Sequence, residues 1–523
     1  MRSARHPSKA AALVSSARET PTPVSLPGVM VCFMLGPFIN ILDHNVVSVA
    51  LPKMMSGLAT DILTIRWVVT ASLIATAVVM PTLGWVGRTL GNKNLYVLGL
   101  AVFTGASGLC GMAPSAELLI ALRAVQGVGA AVLMPISLVL MLEAYPPEQR
   151  GMGTALWGVG ASMGSVIGLP LGGYFADAVD WRAVFFVNLL PGALAVFLTL
   201  MFVPAAAHEE RQPFDMWGFF TLSIALVSLL VALSEGQREG WGASSIVLLL
   251  VAAGSAFGLF LLIEWRTPTP LLDLRLYTSM RYVSSTLVAL AMGVFFYAST
   301  FIIVLFAQLL LDLSVQNTAL ALLPGSIAMV LTSPLVGWTI DRSEPRLAML
   351  LGLGLYVVSC YLMLLADLRI GFGFLVWVYI FRGLGLGFLY PPVFVVATSG
   401  LPIHRTRAAS SLLNLWVILG GTFSIALFST LIEWRQTLHQ ARFAETQVLT
   451  AAGTQRALAL FGQVAHTLGV GVGQAELYAR GVLQGLVRRE ALVHALNDGF
   501  ALILCIALCS MGIVLTMRMT RRK

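Results

Sequence analysis

Long apolar runs recur along almost the whole chain and determine its fold class. Between residues 27 and 518 we identify fourteen near-continuous apolar segments of about 18 to 27 residues, the length that an α-helix needs to cross a bilayer. Ten-residue segments of alternating polarity, which are typical of a membrane β-barrel, are not the pattern of this chain. The sequence therefore predicts an all-α membrane protein with fourteen transmembrane helices, here numbered spans 1 to 14.

Charge is scarce and lies mostly in the connections between the apolar runs. Hydrophobic residues make up 58% of the chain and charged residues 11%, and the formal net charge is +8. With a cytoplasmic N-terminus, nineteen Lys and Arg residues fall on the cytoplasmic side and five in the short outer loops. The positive-inside rule then predicts that both termini are cytoplasmic. Because topology explains the basic charge, we expect no nucleic-acid partner.

Two glycine-containing stretches each occur twice in the sequence, and the spacing between the two copies is nearly constant. The stretch that begins at Gly84, at the end of span 2, returns at Gly337 at the end of span 10, an offset of 253 residues. The arginine-glycine stretch at Arg123 in span 4 returns at Arg382 in span 12, an offset of 259 residues. This repeat predicts two six-helix units with spans 7 and 8 inserted between them, and such parallel repeats are typical of transporters that work by alternating access.

The repeat and the loop lengths suggest four regions. We predict a basic cytoplasmic tail at residues 1–26, an N-terminal six-helix bundle at 27–203, two inserted transmembrane helices with a cytoplasmic linker at 204–281, and a C-terminal six-helix bundle at 282–523. The long outer connection 434–496, in which apolar residues recur at helical spacing, predicts a helical hairpin outside the membrane.

Ionisable groups inside the spans are the first functional candidates, because burying them in a bilayer costs several kcal/mol. They are Asp43, His44, Arg123 and Arg382. Asp43 and Arg123 lie roughly 9–10 Å below the outer surface at about 1.5 Å per residue, so the two side chains are able to pair. One interpretation assigns proton coupling to this pair, and the other makes it a static ion pair that fixes helix packing.

Other candidates come from the same spans and from the turns that join them. Gln126, Arg382 and Tyr390, together with His44, are candidate residues of a substrate cavity. For gating we select small, bending or charged residues at helix faces and cytoplasmic turns, although ordinary packing or a solvated turn explains them as well: Gly84, Arg88, Gly91, Gly164, Gly168, Pro170, Gly172, Asp341 and Arg342.

Several kinds of chemistry have no motif in the sequence. The chain lacks the Gly-x4-Gly-Lys-Ser/Thr stretch of a nucleotide-binding loop, so we do not expect ATP to drive it. A Gly-x-Ser-x-Gly match at Gly160 falls inside a predicted span and not on the strand-to-helix turn that a nucleophile requires. We expect no enzymatic activity, no metal site and no cofactor.

Six motifs together resemble the major facilitator superfamily, and specifically its fourteen-span drug:proton antiporter family of the EmrB/QacA type. Leu42-Asp43-His-Asn-Val-Val-Ser-Val-Ala-Leu51-Pro52 is similar to the family's span 1 motif. The other motifs that carry the resemblance are Arg123–Gly129, Trp181–Gly192, Asp215–Gly218, Pro270–Leu274 and Leu401–Asn414. Asn45 and Asn414 lie in these motifs and join the candidate cavity residues.

The chain departs from the family pattern at three places. His44, Asn45 and Ser48 stand where the family usually has Ser, Thr and Asn. Arg88 replaces the family's acidic residue in the connection between spans 2 and 3, whereas the second copy keeps Asp341. In span 5, Gly168-Leu-Pro-Leu-Gly-Gly173 resembles the antiporter motif with its proline moved by one place.

The resemblance implies proton-coupled efflux of amphipathic, drug-like compounds across the inner membrane of a Gram-negative cell. The long outer insert resembles that of the EmrB branch, which implies a periplasmic adaptor and, through it, an outer-membrane channel as partners, besides the proton, a small lipophilic substrate and the lipid bilayer. Two alternatives stay open: proton-coupled uptake or export of a specific metabolite, and a transport-inactive membrane sensor or scaffold.

Overall fold

The structure is a computed structural model of the 523-residue chain. It describes residues 26–146, 149–175, 179–204, 213–268, 270–272, 274–399, 401, 403–446, 452–467 and 472–517. The predicted basic tail lies outside the described residues, except for Leu26.

The first eight spans are helices that follow one another through short connections. Span 2 contains a 3₁₀ turn at Met80–Thr82, and span 6 consists of a single turn followed by a longer helix. In chain order the helices are Leu26–Gly57 (span 1), Trp67–Val79 and Leu83–Leu90 (span 2), Asn92–Gly111 (span 3), Ala116–Ala144 (span 4), Arg150–Tyr174 (span 5), Ala183–Phe186 and Leu189–Phe202 (span 6), Met216–Glu239 (span 7) and Ser244–Arg266 (span 8).

The remaining spans are longer on average, and two of them extend well beyond the thickness of a membrane. Their helices are Met280–Leu305 followed by a π-helical turn at Phe306–Leu310 (span 9), Val315–Arg342 (span 10), Pro345–Leu364 (span 11), Phe372–Thr398 (span 12), Ile403–Thr446 (span 13) and Val472–Thr516 (span 14). A separate helix, Ala452–Thr467, lies between spans 13 and 14.

The prediction of fourteen spans is confirmed, since fourteen described helices are long and apolar enough to cross a membrane. Within the described ranges every regular element is helical. Several helices begin at a side chain that caps the first turn, as expected where polar residues precede an apolar run. Ser115 accepts a hydrogen bond from the backbone N–H of Leu118 (3.3 Å), and Ser314 accepts one from that of Asn317 (3.1 Å).

The two predicted halves pack together along spans 2, 5, 10 and 13. Below, the predicted cytoplasmic end means the end with the connections after spans 2 and 10, and the opposite end is the predicted outer end. At the predicted cytoplasmic end, a Cβ on Gly337 of span 10 would lie 2.7 Å from the Cβ of Ala155 in span 5. A Cβ on Gly84 would lie 3.4 Å from that of Ala408 in the span 13 helix. The halves are therefore closed against each other at this end.

Spans 7 and 8 pack against each other, and span 7 also contacts both halves at the predicted outer end. Glu235 of span 7 forms an ion pair with Arg66, which precedes span 2. Trp241 follows span 7, and its indole N–H donates to Thr430 Oγ1 of span 13 (3.1 Å). The inserted pair thus bridges the outer ends of spans 2 and 13.

The predicted outer hairpin is built largely from continuations of spans 13 and 14. The segment 434–446 contains no glycine or proline, so nothing in its sequence stops the span 13 helix at the membrane surface. Residues 468–471 lie outside the described residues, and the span 14 helix begins at Val472.

Candidate transport site

The carboxylate of Asp43 is held by three side-chain donors from two other spans. Arg123 donates through Nη1 to Oδ2 (2.7 Å), whereas Gln126 Nε2 and Asn188 Nδ2 both donate to Oδ1 (3.0 and 2.8 Å). Asp43 is 5% exposed, Arg123 2%, and the two amides are fully buried. These contacts are those of an ionised carboxylate, because every neighbour donates a hydrogen bond to it. The expected pair of Asp43 and Arg123 therefore forms, and its role in proton coupling stays a prediction.

Arg123 is fixed by more than its ion pair. Its Nε donates to the backbone oxygen of Val68 in span 2 (2.9 Å), and its Nη1 also donates to Gln126 Oε1 (2.8 Å). The guanidinium carbon lies 5.9 Å from the centre of the Phe185 ring. Because these partners do not depend on Asp43, the guanidinium keeps hydrogen bonds when the carboxylate is neutral.

Span 6 supplies Asn188 at the break between its two helical pieces. Asn188 stands immediately before the helix Leu189–Phe202, and its Nδ2 also donates to Ser107 Oγ of span 3 (3.1 Å). The network around Asp43 therefore joins spans 1, 2, 3, 4 and 6.

The candidate gating glycines of span 5 press that helix against span 1, the helix of Asp43. A Cβ on Gly164 would lie 2.6 Å from the backbone oxygen of Phe38, and one on Gly172 would lie 2.9 Å from the Cα of Val46. Gly168 belongs to the same face, and Pro170 lies inside the same helix. These close contacts leave no space for larger side chains between spans 5 and 1, and the gating role of these residues stays a prediction.

Arg382 occupies the corresponding place in the second half but has different partners. Its Nε donates to Ser299 Oγ (2.7 Å), and its Nη2 donates to Thr300 Oγ1 (2.6 Å) and to the backbone oxygen of Phe296 (2.8 Å). The guanidinium also lies over the Tyr379 ring at 4.7 Å. Among the described residues, no carboxylate forms an ion pair with it.

The repeat explains this difference between the two arginines. Ser299 lies 256 residues after Asp43, between the two repeat offsets of 253 and 259. The second half thus keeps the arginine and has a hydroxyl group where the first half has its carboxylate. A buried positive charge without an anionic partner is costly, and here hydroxyl and backbone oxygens take the place of a carboxylate.

An aromatic contact joins the two halves near the middle of the bundle. The ring of Tyr390 in span 12 stacks on that of Trp157 in span 5, with centroids 5.6 Å apart and planes at 15°. The Trp157 indole donates to Ser137 Oγ (2.9 Å). Nearer the outer end, His44 packs edge-on against Tyr297 of span 9 at 5.9 Å. The candidate cavity residues Tyr390 and His44 therefore both lie where the two halves meet.

The two remaining amides of the cavity list lie apart from the Asp43 network. Asn45 Nδ2 is 3.5 Å from Ser165 Oγ of span 5, at the limit of a hydrogen bond. Asn414 is buried, and its Nδ2 donates to the backbone oxygen of Ser410 in its own helix (3.0 Å). The structure gives Asn414 a local contact, and its place in a cavity stays a prediction.

At the predicted cytoplasmic end, Asp341 connects the two halves. Its Oδ1 accepts from the backbone N–H of Gly151 (2.8 Å) and its Oδ2 from that of Met152 (2.9 Å). These N–H groups belong to the first turn of span 5, where a negative charge also interacts favourably with the helix dipole. Arg342 lies over the ring of Trp338 at 4.7 Å.

The other gating candidates, Arg88 and Gly91, lie at the end of span 2 and in the turn that follows it. Arg88 Nε lies 3.3 Å from the backbone oxygen of Gly84 one turn earlier. Gly91 ends this helix with a φ of +78°, a conformation that favours glycine. The Asp341 carboxylate, in contrast, binds the first turn of span 5, and the gating role of these residues stays a prediction.

Asn188 and Trp157 were not among the candidates that the sequence suggested. Asn188 was visible as an amide within the span 6 motif, but the sequence did not show that it meets Asp43. Trp157 had no distinguishing signal, because an indole in an apolar span is ordinary.

Comparison with known proteins identifies the relatives of this chain. The family model described as Major Facilitator Superfamily matches residues 33–425. The multidrug export protein EmrB of Escherichia coli (strain K12) is 28% identical over 491 residues, which cover 92% of this chain and 94% of EmrB. The multidrug resistance protein Stp of Mycobacterium tuberculosis (strain ATCC 25618 / H37Rv) is 31% identical over 410 residues, covering 76% of this chain and 75% of Stp.

Among solved structures, the crystal structure of the human organic anion transporter MFSD10 superposes with a TM-score of 0.55. The superposition covers 92% of this chain and 99% of the MFSD10 chain, and the two sequences are 13% identical. At that identity the likeness concerns the fold alone.

Proposed function

Since this chain belongs to the major facilitator superfamily, we propose that it exports amphipathic, drug-like compounds in exchange for protons. The names of EmrB and Stp support multidrug transport. The observation that carries the proton-coupled part is the buried network around Asp43, in which three donors surround a carboxylate at membrane depth.

Coupling through Asp43 follows from what protonation does to this network. A proton on the carboxyl group removes the attraction to Arg123 and occupies an oxygen that now accepts a hydrogen bond. Arg123 then relies on Val68 and Gln126, and the helices held by Asp43 are free to rearrange. The charged state favours the arrangement seen here, and the protonated state favours a second one.

Alternating access uses two kinds of contact between the halves. Asp341 holds the predicted cytoplasmic end closed at the start of span 5, while the stack of Trp157 on Tyr390 lies deeper. Because the glycines of span 5 lie against the helix of Asp43, protonation is linked mechanically to the helix that Asp341 caps. In this proposal Arg382 faces the substrate and provides the positive charge for its anionic group.

We place the protein in the inner membrane of a Gram-negative cell, as the transporter subunit of a tripartite pump. The similarity to EmrB over most of both chains supports this location. The hairpin 434–496 is the part that we expect to bind a periplasmic adaptor, and through it an outer-membrane channel.

Proton flux in everted membrane vesicles tests the function. Vesicles energised by respiration should release protons from the lumen when a transported compound is added, and vesicles with Asp43→Asn should not. A lipophilic compound that moves in wild-type vesicles without any proton flux would overturn proton exchange. Equal flux in vesicles that lack the protein would overturn transport.

A further inference from the structure

Two buried carboxylates at the predicted cytoplasmic ends of spans 7 and 8 take no part in the transport proposal. Asp215 caps the start of span 7, with Oδ1 accepting from the backbone N–H of Gly218 (2.9 Å). Glu264 lies near the end of span 8, and its Oε1 accepts from the backbone N–H of Leu272. Asp215 is 8% exposed and Glu264 is 4% exposed.

The second oxygen of each group is buried and lacks a donor. Within the described part of the chain, no group donates a hydrogen bond to Asp215 Oδ2 or Glu264 Oε2, and no basic residue forms an ion pair with either side chain. Both oxygens face the same glycine, because a Cβ on Gly218 would lie 2.2 Å from Asp215 Oδ2 and 3.1 Å from Glu264 Oε2. Only glycine leaves them room to approach each other.

The chemistry of Asp215 Oδ2 and Glu264 Oε2 favours a shared proton over a metal ion between the two carboxyl groups. Two ionised carboxylates in a buried site repel each other, and neither forms an ion pair within the described part of the chain. A Ca²⁺ or Mg²⁺ ion takes about six or more oxygen ligands, and this site presents two. One proton shared by the pair gives each orphan oxygen a hydrogen-bond partner and removes one negative charge.

We propose that Asp215 and Glu264 share one bound proton and form a second proton-binding site, separate from Asp43, at the predicted cytoplasmic end. The contrast with Asp43 supports the assignment. Three side chains donate hydrogen bonds to the Asp43 carboxylate, as an ionised carboxylate requires. In each carboxyl group of this pair, one oxygen accepts from a backbone N–H and the other oxygen has no donor and faces the other carboxyl group.

The charged neighbours of the pair determine which member carries the proton. Arg88, from the end of span 2, and Asp215 line the same small cavity, which places a cation on the Asp215 side of the pair. Glu264 is then the protonated partner and donates to Asp215 Oδ2. Arg266 on span 8 and Arg275 after it are exposed, and the described connection 270–272 carries no charge.

The position of the pair links it to a predicted gating segment. Phe214, beside Asp215, packs on Trp85 of span 2 with ring centroids 4.8 Å apart. The proton therefore holds together the ends of spans 7 and 8 next to the connection that follows span 2. This site does not depend on the proposed transport function, and each can fail without the other.

Thermal unfolding of the purified full-length protein tests the proposal across a range of about pH 6 to 9. In the unfolded chain both carboxyl groups titrate near pH 4, so the folded protein binds one proton more than the unfolded one. Its melting temperature must therefore fall as the pH rises through this range. Glu264→Gln, whose amide donates in place of the protonated carboxyl, should flatten this slope and melt above the wild type at the highest pH. Asp215→Asn keeps the helix cap and should also flatten it.

Glu235→Gln is the matched control, because Glu235 is a buried carboxylate of span 7 that pairs with Arg66 and Arg238. It should lower the melting temperature at every pH and leave the slope unchanged. If Glu264→Gln behaved like Glu235→Gln, both carboxylates would be ionised and the proposal would be wrong.

Infrared spectroscopy gives an independent measurement that does not rely on variant stability. At neutral pH the wild type should show the stretching band of a protonated carboxyl group, and this band should persist in Asp43→Asn and disappear in Glu264→Gln. The same protonated carboxyl band in wild type and Glu264→Gln would assign the proton elsewhere and overturn the proposal.

Discussion

Removing the Asp341 carboxylate should open the predicted cytoplasmic end of the protein. The side chain belongs to span 10 in the second half, and both of its oxygens bind backbone N–H groups of span 5 in the first half, at 2.8 and 2.9 Å. Asp341→Ala removes both hydrogen bonds and the negative charge at a helix N-terminus. The backbone N–H groups remain, and only water can satisfy them.

The size of the effect follows from these contacts. A hydrogen bond to a charged group contributes about 1.5–3 kcal/mol, and a charge at a helix end adds about 0.3–1 kcal/mol. Because Asp341 is half-buried, hydrogen bonds from water to the freed N–H groups offset part of this energy. We therefore take a loss of about 2–3 kcal/mol for the two hydrogen bonds together. At about 1.4 kcal/mol per factor of ten, the equilibrium between closed and open cytoplasmic ends shifts roughly 30-fold to 140-fold toward the open form.

Distances between two spin labels measure this shift. Labels on Leu90→Cys in the first half and Ser343→Cys in the second lie on exposed residues at the same end, in a background without the exposed Cys505 and Cys509. Asp341→Ala should move the distance distribution to longer values.

Glu344→Gln is the control for charge alone. Glu344 is exposed and its side chain makes no capping hydrogen bond. The distance distribution of the Glu344→Gln variant should therefore match that of the wild type. An unchanged distance distribution in Asp341→Ala would show that the two hydrogen bonds do not hold the halves together, and would refute the assignment of Asp341 as the contact that closes this end.

Three further predictions concern coupling, selectivity and partners. Asp43→Asn should abolish substrate-driven proton flux in everted vesicles while insertion into the membrane is normal, and full flux would contradict the coupling role. Arg382→Gln should lower the export of lipophilic weak acids at least several-fold and change that of neutral compounds little, since it removes a buried cation without a carboxylate partner; equal losses for both classes would argue against an anion contact. Replacing 434–496 by a short Gly/Ser linker should leave vesicle transport largely intact and abolish co-purification of the adaptor, and normal adaptor binding would place the docking surface elsewhere.

The features that sequence reasoning predicted well are those with a single dominant physical cause. The spans follow from the number of consecutive apolar residues that a bilayer requires. The possibility that Asp43 pairs with Arg123 follows from depth, because a helix rises about 1.5 Å per residue and the two residues lie equally far from the outer surface. Neither inference needs to know which helices are neighbours.

The features that sequence reasoning missed depend on which helices touch and on how they are rotated. Asn188 reaches Asp43 because span 6 breaks at this residue, and the motif did not reveal the break. Trp157 meets Tyr390 only because spans 5 and 12 pack across the interface of the halves. Asp215 and Glu264 are each an ordinary acidic residue at a helix end in the sequence, and only the antiparallel packing of spans 7 and 8 makes them a pair.

The continuity of the outer hairpin with the second half connects these sites to any partner outside the membrane. The helices of spans 13 and 14 contain 44 and 45 residues, which at 1.5 Å per residue is about 66 Å, twice the thickness of the hydrocarbon core. At the base of the hairpin, Asp498 accepts from Arg435 Nε (2.6 Å) and lies 2.7 Å from His439 Nε2, so the two projecting helices are joined to each other. A rigid-body rotation of the second half must therefore carry the hairpin with it. In the proposed alternation between open and closed states, a partner bound to the hairpin is displaced together with the second half, without any additional hinge.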